Sequence, residues 1–97
     1  MINPSIGRVV WFHPPKGDEN IVYRDQALAA IVTYVWSDRM VNLVVFDANG
    51  LHSAHTSVNL LQDDDAAPEY GRYAEWMPFQ KGQAMKFAEL EKKIDAA

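Results

Sequence analysis

The 97-residue chain contains no cysteine. That excludes a disulfide scaffold, a thiolate metal site and a cysteine nucleophile together, and it suits a cytoplasmic protein. No apolar run approaches the ~18 residues of a membrane span, and the opening MINPSIGRVVWFHPP lacks a basic segment followed by an apolar one. A secretion signal and a membrane partner are therefore not expected. Basic residues are also short: nine Lys and Arg stand against thirteen Asp and Glu, a net charge of −4. A duplex-binding surface normally needs the opposite balance. No glycine-rich loop follows a strand and opens a helix, so a phosphate cradle is not indicated. There are no internal repeats and no low-complexity segments.

What remains is enough apolar residue, 48% of the chain, for one small core. Its centre is Gln26–Leu61, read as three consecutive strands. An entry strand runs from Arg8 to His13, with Val9 and Trp11 on one face and Val10 and Phe12 on the other. Pro14-Pro15 ends it. Positions 14–26 form a polar excursion anchored by Ile21-Val22-Tyr23. The second strand, Ala27–Trp36, is β-branched and aromatic from Ile31 onward. Strict alternation puts Ala30, Val32, Tyr34 and Trp36 on one of its faces and Ala29, Ile31, Thr33 and Val35 on the other. After a turn at Ser37-Asp38-Arg39, the third strand, Met40–Phe46, sets Val41, Leu43 and Val45 against Asn42, Val44 and Phe46. Asp47-Ala48-Asn49-Gly50 predicts a type I′ hairpin. A more polar fourth strand, Leu51–Val58, looks like an exposed edge. Leu60-Leu61 leads into an acidic loop, Gln62-Asp63-Asp64-Asp65.

Within Arg72–Met77 a short fifth strand alternates Tyr73, Glu75 and Met77 with Ala74 and Trp76, and Pro78 ends it. From about Gly82 the period becomes helical. Ala84, Phe87, Leu90 and Ile94 share one face, offered for packing or self-association, and Glu89 precedes Lys93 at the favourable spacing. The expected architecture is mainly β: a small SH3-like five-stranded barrel over residues 1–80 and a C-terminal helix over 81–97. An OB-like barrel wants a helix between its third and fourth strands, which the Asn49-Gly50 turn excludes.

The residues Gly7-Arg8-Val9-Val10, Ala29-Ala30-Ile31-Val32, Val35-Trp36-Ser37-Asp38 and Val41–Gly50, with the closing Glu75-Trp76-Met77-Pro78-Phe79-Gln80-Lys81-Gly82-Gln83, resemble small proteins encoded by tailed bacteriophages and prophages. The resemblance covers roughly positions 6–83. It implies an origin and a fold type, with no assigned activity and no catalytic residues to carry over. Many such proteins have a longer, basic insert where this chain has Lys16–Gln26.

Chemistry-bearing groups are few. His52 and His55, near Asp47, are the only metal-like grouping, and at i,i+3 in a strand they point to opposite faces. Asp63-Asp64-Asp65 lacks the alternation and glycine of a calcium loop. Ser53, Thr56 and Ser57 lie near the histidines without elbow glycines or an acidic orienter. No enzyme, cofactor or metal is expected. The aromatics Trp11, Tyr23, Tyr34, Trp36, Phe46, Tyr70, Tyr73, Trp76 and Phe79 are too many for so small a core. Tyr34, Trp36, Phe46 and Trp76 are the candidate contact surface. The expected partners are proteins, either phage structural proteins or a host protein, or a second copy of the chain, in the host cytoplasm or the virion. Single-stranded nucleic acid stacking on the same rings is the alternative. Arg8, Lys16, Arg24, Arg39 and Arg72 are too dispersed to favour it, and the lysines Lys81, Lys86, Lys92 and Lys93 of the helix are interleaved with Glu89, Glu91 and Asp95.

Overall fold

The computed structural model describes residues 1–15 and 26–96. Five strands and one helix follow in order: β1 (Val9–His13), β2 (Leu28–Ser37), β3 (Met40–Phe46), β4 (His52–Leu61), β5 (Tyr73–Glu75) and α1 (Pro78–Ala96). The strands close into a barrel in chain order, with β5 returning antiparallel to β1 and lying parallel to the end of β4. The protein is thus mainly β, an SH3-like five-stranded barrel with a C-terminal helix. The expected Ile21-Val22-Tyr23 anchor lies outside the described residues.

Alternation builds the core. Val10 and Phe12 of β1, Leu28, Ala30 and Val32 of β2, and Val41, Leu43 and Val45 of β3 all turn inward. Val58, Leu60, Ala74 and Trp76 complete the cluster. β4 runs three residues further than expected, to Leu61, and those residues carry its closure: Leu60 pairs with Ala74 and Leu61 with Glu75. The outer face of β1 is not covered throughout, since Val9 is exposed and Trp11 half-buried.

The type I′ expectation for the β3–β4 turn is corrected. Only Gly50 has positive φ (+86°), while Ala48 and Asn49 keep negative values. The Gly50 N–H donates to the Asp47 carbonyl at 2.9 Å, and the Asp47 N–H to that of Leu51 at 2.9 Å. This is a three-residue loop in which a type I turn hands over to a left-handed glycine. Asp47 stabilises it, since its Oδ1 accepts from the N–H groups of Asn49 and Leu51.

The helix also begins earlier than expected. Pro78 does not merely end β5; it is the first helical residue, where its missing N–H costs nothing. The Gln80 Oε1 reaches back to the Met77 N–H at 2.9 Å, as in a capping box. Its Nε2 donates to the Val9 carbonyl at 2.8 Å and ties the helix start to β1. Nineteen residues give a rod of about 28 Å, and the molecule measures 55 × 23 × 22 Å.

One polar side chain sits inside this structure. Gln62 is only 1% exposed and uses its whole amide. Oε1 accepts from Ile2 N (3.1 Å) and Trp76 Nε1 (3.2 Å), while Nε2 donates to the carbonyls of Ile2 and Asp38 (both 2.8 Å). Replacing Gln62 by Leu removes the hydrogen bonds of three partner segments at once, buried Trp76, half-buried Ile2 and the Asp38 carbonyl. We expect Gln62→Leu to cost about 3 kcal/mol in denaturant unfolding; a neutral result would show that these bonds are dispensable. At the hairpin, Gly50→Ala meets no neighbouring atom, so its expected loss of about 1 kcal/mol is purely conformational. Asn49→Ala should stay within about 0.5 kcal/mol, whereas a type I′ turn would penalise both.

Candidate functional site

β2 and β3 do not pair evenly. Val32 pairs with Leu43 but Tyr34 with Asn42, and Val35 pairs with Val41 but Ser37 with Met40. Thr33 and Trp36 are therefore the extra residues of two bulges, and each bulge re-aims the chain. The first reverses the alternation. Uninterrupted, the Ala30–Val32 face would carry Tyr34 and Trp36 into the barrel. Instead Val35 packs against the core, and Tyr34 and Trp36 lie outside at 48% and 58% exposure. Their rings meet edge to face, 4.8 Å between centroids, the arrangement that the aromatic quadrupole favours.

Asn42 holds this pair. Its Oδ1 accepts from Trp36 Nε1 at 2.9 Å and from the Ser57 N–H at 2.8 Å. Ser57 adopts φ +53° in the bulge where β4 pairs unevenly with β3. One amide oxygen thus links irregularities in the two strands flanking β3. With its N–H satisfied, Trp36 presents a ring face, not a hydrogen-bond donor, to whatever meets it.

The other two candidates part from this pair. Trp76 is 1% exposed and belongs to the core, so its place on a contact surface is corrected. One face fills the barrel and the Arg8 guanidinium covers it 5.2 Å from the ring centroid. Phe46 is half-buried on the outer side of β3. It lies four positions along the strand from Asn42, about 13 Å, and it sits beside Gln26, Ala27 and Ala48. The expected four-residue surface is a pair.

The helix face is divided too. Ala84 is half-buried, whereas Phe87 and Leu90 are 63% and 55% exposed; the Ile94 side chain lies outside the description. Ile2, Arg8, Gln83 and Phe87 line a cleft between the helix and the N-terminal segment.

Among the described residues no group of three or more His, Asp or Glu could hold a metal, and no helix is long and apolar enough to cross a membrane. His55 meets Ser53 Oγ through Nε2 (3.1 Å) and Arg72 Nη1 through Nδ1 (3.0 Å). A guanidinium only donates, so Nδ1 accepts and the ring proton sits on Nε2, directed at Ser53. The lone pair that would have to deprotonate the serine is already engaged. Arg72 also donates from Nη2 to the Thr56 carbonyl. A second grouping was not legible in the sequence: His13 stacks on Tyr73 at 4.5 Å, with Glu75 Oε1 3.4 Å from His13 Nε2. It arises because β1 and β5 pair His13 with Tyr73. Burial, and then the Glu75 charge, push the Tyr73 phenol above its ordinary 10.0.

The acidic run is less free than expected. Arg39 Nε donates to Asp65 Oδ2 at 2.9 Å, and the same oxygen accepts from the Gln62 N–H. The Arg39 bond first, then that backbone bond, hold the Asp65 carboxyl below its ordinary 3.8. A depressed acid pKa contributes stability above the unfolded value and loses it as pH falls through the folded one. In a carboxyl-resolved NMR titration Asp65 should therefore titrate below 3.8, and Arg39→Gln should raise that midpoint. An unmoved midpoint would assign the shift to the backbone bond alone.

Comparison with protein-family models, with curated proteins and with solved structures finds no match for this chain.

Proposed function

We propose that this chain is a non-enzymatic barrel of tailed-phage or prophage origin that works by protein–protein contact. It serves in the virion as an accessory or structural component, or in the host cytoplasm on a host protein. The origin rests on the resemblance of positions 6–83 to small phage-encoded proteins. The mode of action is supported by one observation above the rest: Trp36, a large ring on the outer surface, is tethered by the hydrogen bond from its Nε1 to Asn42 Oδ1. A tethered exposed tryptophan loses less entropy on binding and is a common energetic anchor of interfaces.

Single-stranded nucleic acid would use the same rings but needs cations beside them. The three described arginines are engaged in the barrel: Arg8 over Trp76, Arg39 with Asp65, and Arg72 with His55 and Thr56. The Ser53–His55–Arg72 arrangement likewise gives no support to nucleophilic catalysis.

A photo-crosslinking side chain at position 36, introduced during phage growth, tests the reading. Expected are protein adducts that disappear when Tyr34→Thr removes the neighbouring ring. With the captured partner in hand, Trp36→Thr should weaken binding about 30-fold, and Asn42→Ala should weaken it less by releasing the ring. Adducts to single-stranded DNA or RNA that vanish with added salt would overturn the proposal. Immunodetection in purified particles separates the virion role from the host-directed one.

A further inference from the structure

β4 is ten residues long and its closing partner β5 is three. Only Leu60 and Leu61 pair with β5, so among the described residues most of β4 has a ladder on one side only. The backbone hydrogen bonds show which groups face the open side. The Asp47 N–H bonds to the Leu51 carbonyl, and the register from there pairs Val45 with Ser53 and Leu43 with His55. Hydrogen-bonded pairs recur at every second residue of an antiparallel ladder. Ser53 and His55 therefore spend their backbone groups on β3, and those of His52, Ala54 and Thr56 point away. The Thr56 carbonyl confirms the parity, since Arg72 reaches it from that side at 2.6 Å.

The usual protections reach this edge only at its far end, where Arg72 covers the Thr56 carbonyl and the strand bulges at Ser57. Leu51 to Leu61 contains no Asp, Glu, Lys, Arg or Pro, although strand edges are ordinarily blunted by such residues. The out-facing groups are symmetric about Ala54, whose methyl side chain obstructs nothing. We propose that the β4 edge is an interface for a second copy of this chain, joined antiparallel about a two-fold axis at Ala54. Ala54 then bonds Ala54 of the other copy, and His52 bonds Thr56 of the other copy in both directions. A carbonyl has two lone pairs, so Thr56 keeps Arg72 as well. A second copy is the fitting occupant because it supplies the same free groups at the same spacing. It also sets a neutral strand against a neutral strand in a protein that is otherwise net acidic. The two barrels then share one continuous sheet, and Tyr34 and Trp36, on the other side of β3, remain open. This interface stands apart from the proposed contact pair, so either can fail without the other.

Sedimentation equilibrium of the full chain tests it. The expected result is a concentration-dependent dimer of twice the 11.0 kDa chain mass. Ala54→Lys opposes two cations across the axis, and Ala54→Pro removes an out-facing donor without touching the β3 ladder. Each should weaken dimerisation at least about tenfold with circular dichroism unchanged, while Ala54→Ser and Trp36→Thr should not. Because the chain has no cysteine, Ala54→Cys should oxidise to a covalent dimer, whereas His52→Cys, facing Thr56 of the other copy, should not. A wild-type monomer at all concentrations overturns the proposal. So does a dimer that survives Ala54→Lys but is lost on Phe87→Ser with Leu90→Ser.

Discussion

The buried amide of Gln62 is the interaction on which the barrel's end depends. β4 stops at Leu61, and the next side chain turns inward to meet the N-terminal segment, the β2–β3 turn and the core tryptophan. Three parts of the chain far apart in sequence share one polar group that has no solvent. Such a group is costly unless every valence is met, so it admits one arrangement of its partners and penalises others. Asp65 closes the same corner: it binds the Gln62 N–H and Arg39, which lies in the turn whose Asp38 carbonyl Gln62 also holds. The acidic run works here as a clasp.

Against this fixed end, the outer surface is shaped by departures from regular pairing. Two bulges in β2 turn Tyr34 and Trp36 outward, and a third in β4 gives Asn42 a second hydrogen-bond donor. Large aromatics on a barrel this small must either fill the core or face water. Trp76 takes the interior place, and the bulges send the β2 pair to the surface. The helix adds length without closing the core; its start is fastened by Gln80, while Phe87 and Leu90 stay exposed.

Much of the fold was legible in the residues. β3 matched its expected bounds, β1 and β2 lay within one residue of theirs, and the inward faces of β1, β3 and β5 followed period two. Besides the place of Trp76 and the end of β4, three features were misread for identifiable reasons. The Pro78 and Gln80 signals of a helix start were visible, but the proline was read only as a strand stop. Asn49-Gly50 fitted a two-residue hairpin, while Asp47 stabilised a three-residue one by capping its N–H groups. The β2 alternation grouped Tyr34 and Trp36 with Ala30 and Val32, the face that the barrel buries, whereas the bulge at Thr33 turns both rings outward. Nothing local marks Thr33 as a bulge; it follows from how two strands fit around a closed barrel.

The sequence by itself determined the class of the molecule. Period-two apolar strands, short turns and a terminal amphipathic segment admit a small closed β architecture and little else, since local sterics and burial act along the chain. The tertiary structure decided which aromatics are interior and which are surface, that Gln62 belongs inside, and that β4 outruns its partner. Those outcomes turn on register and on contacts between residues up to 71 positions apart. Local periodicity carries no term for such contacts, because their energy exists only once the barrel has closed.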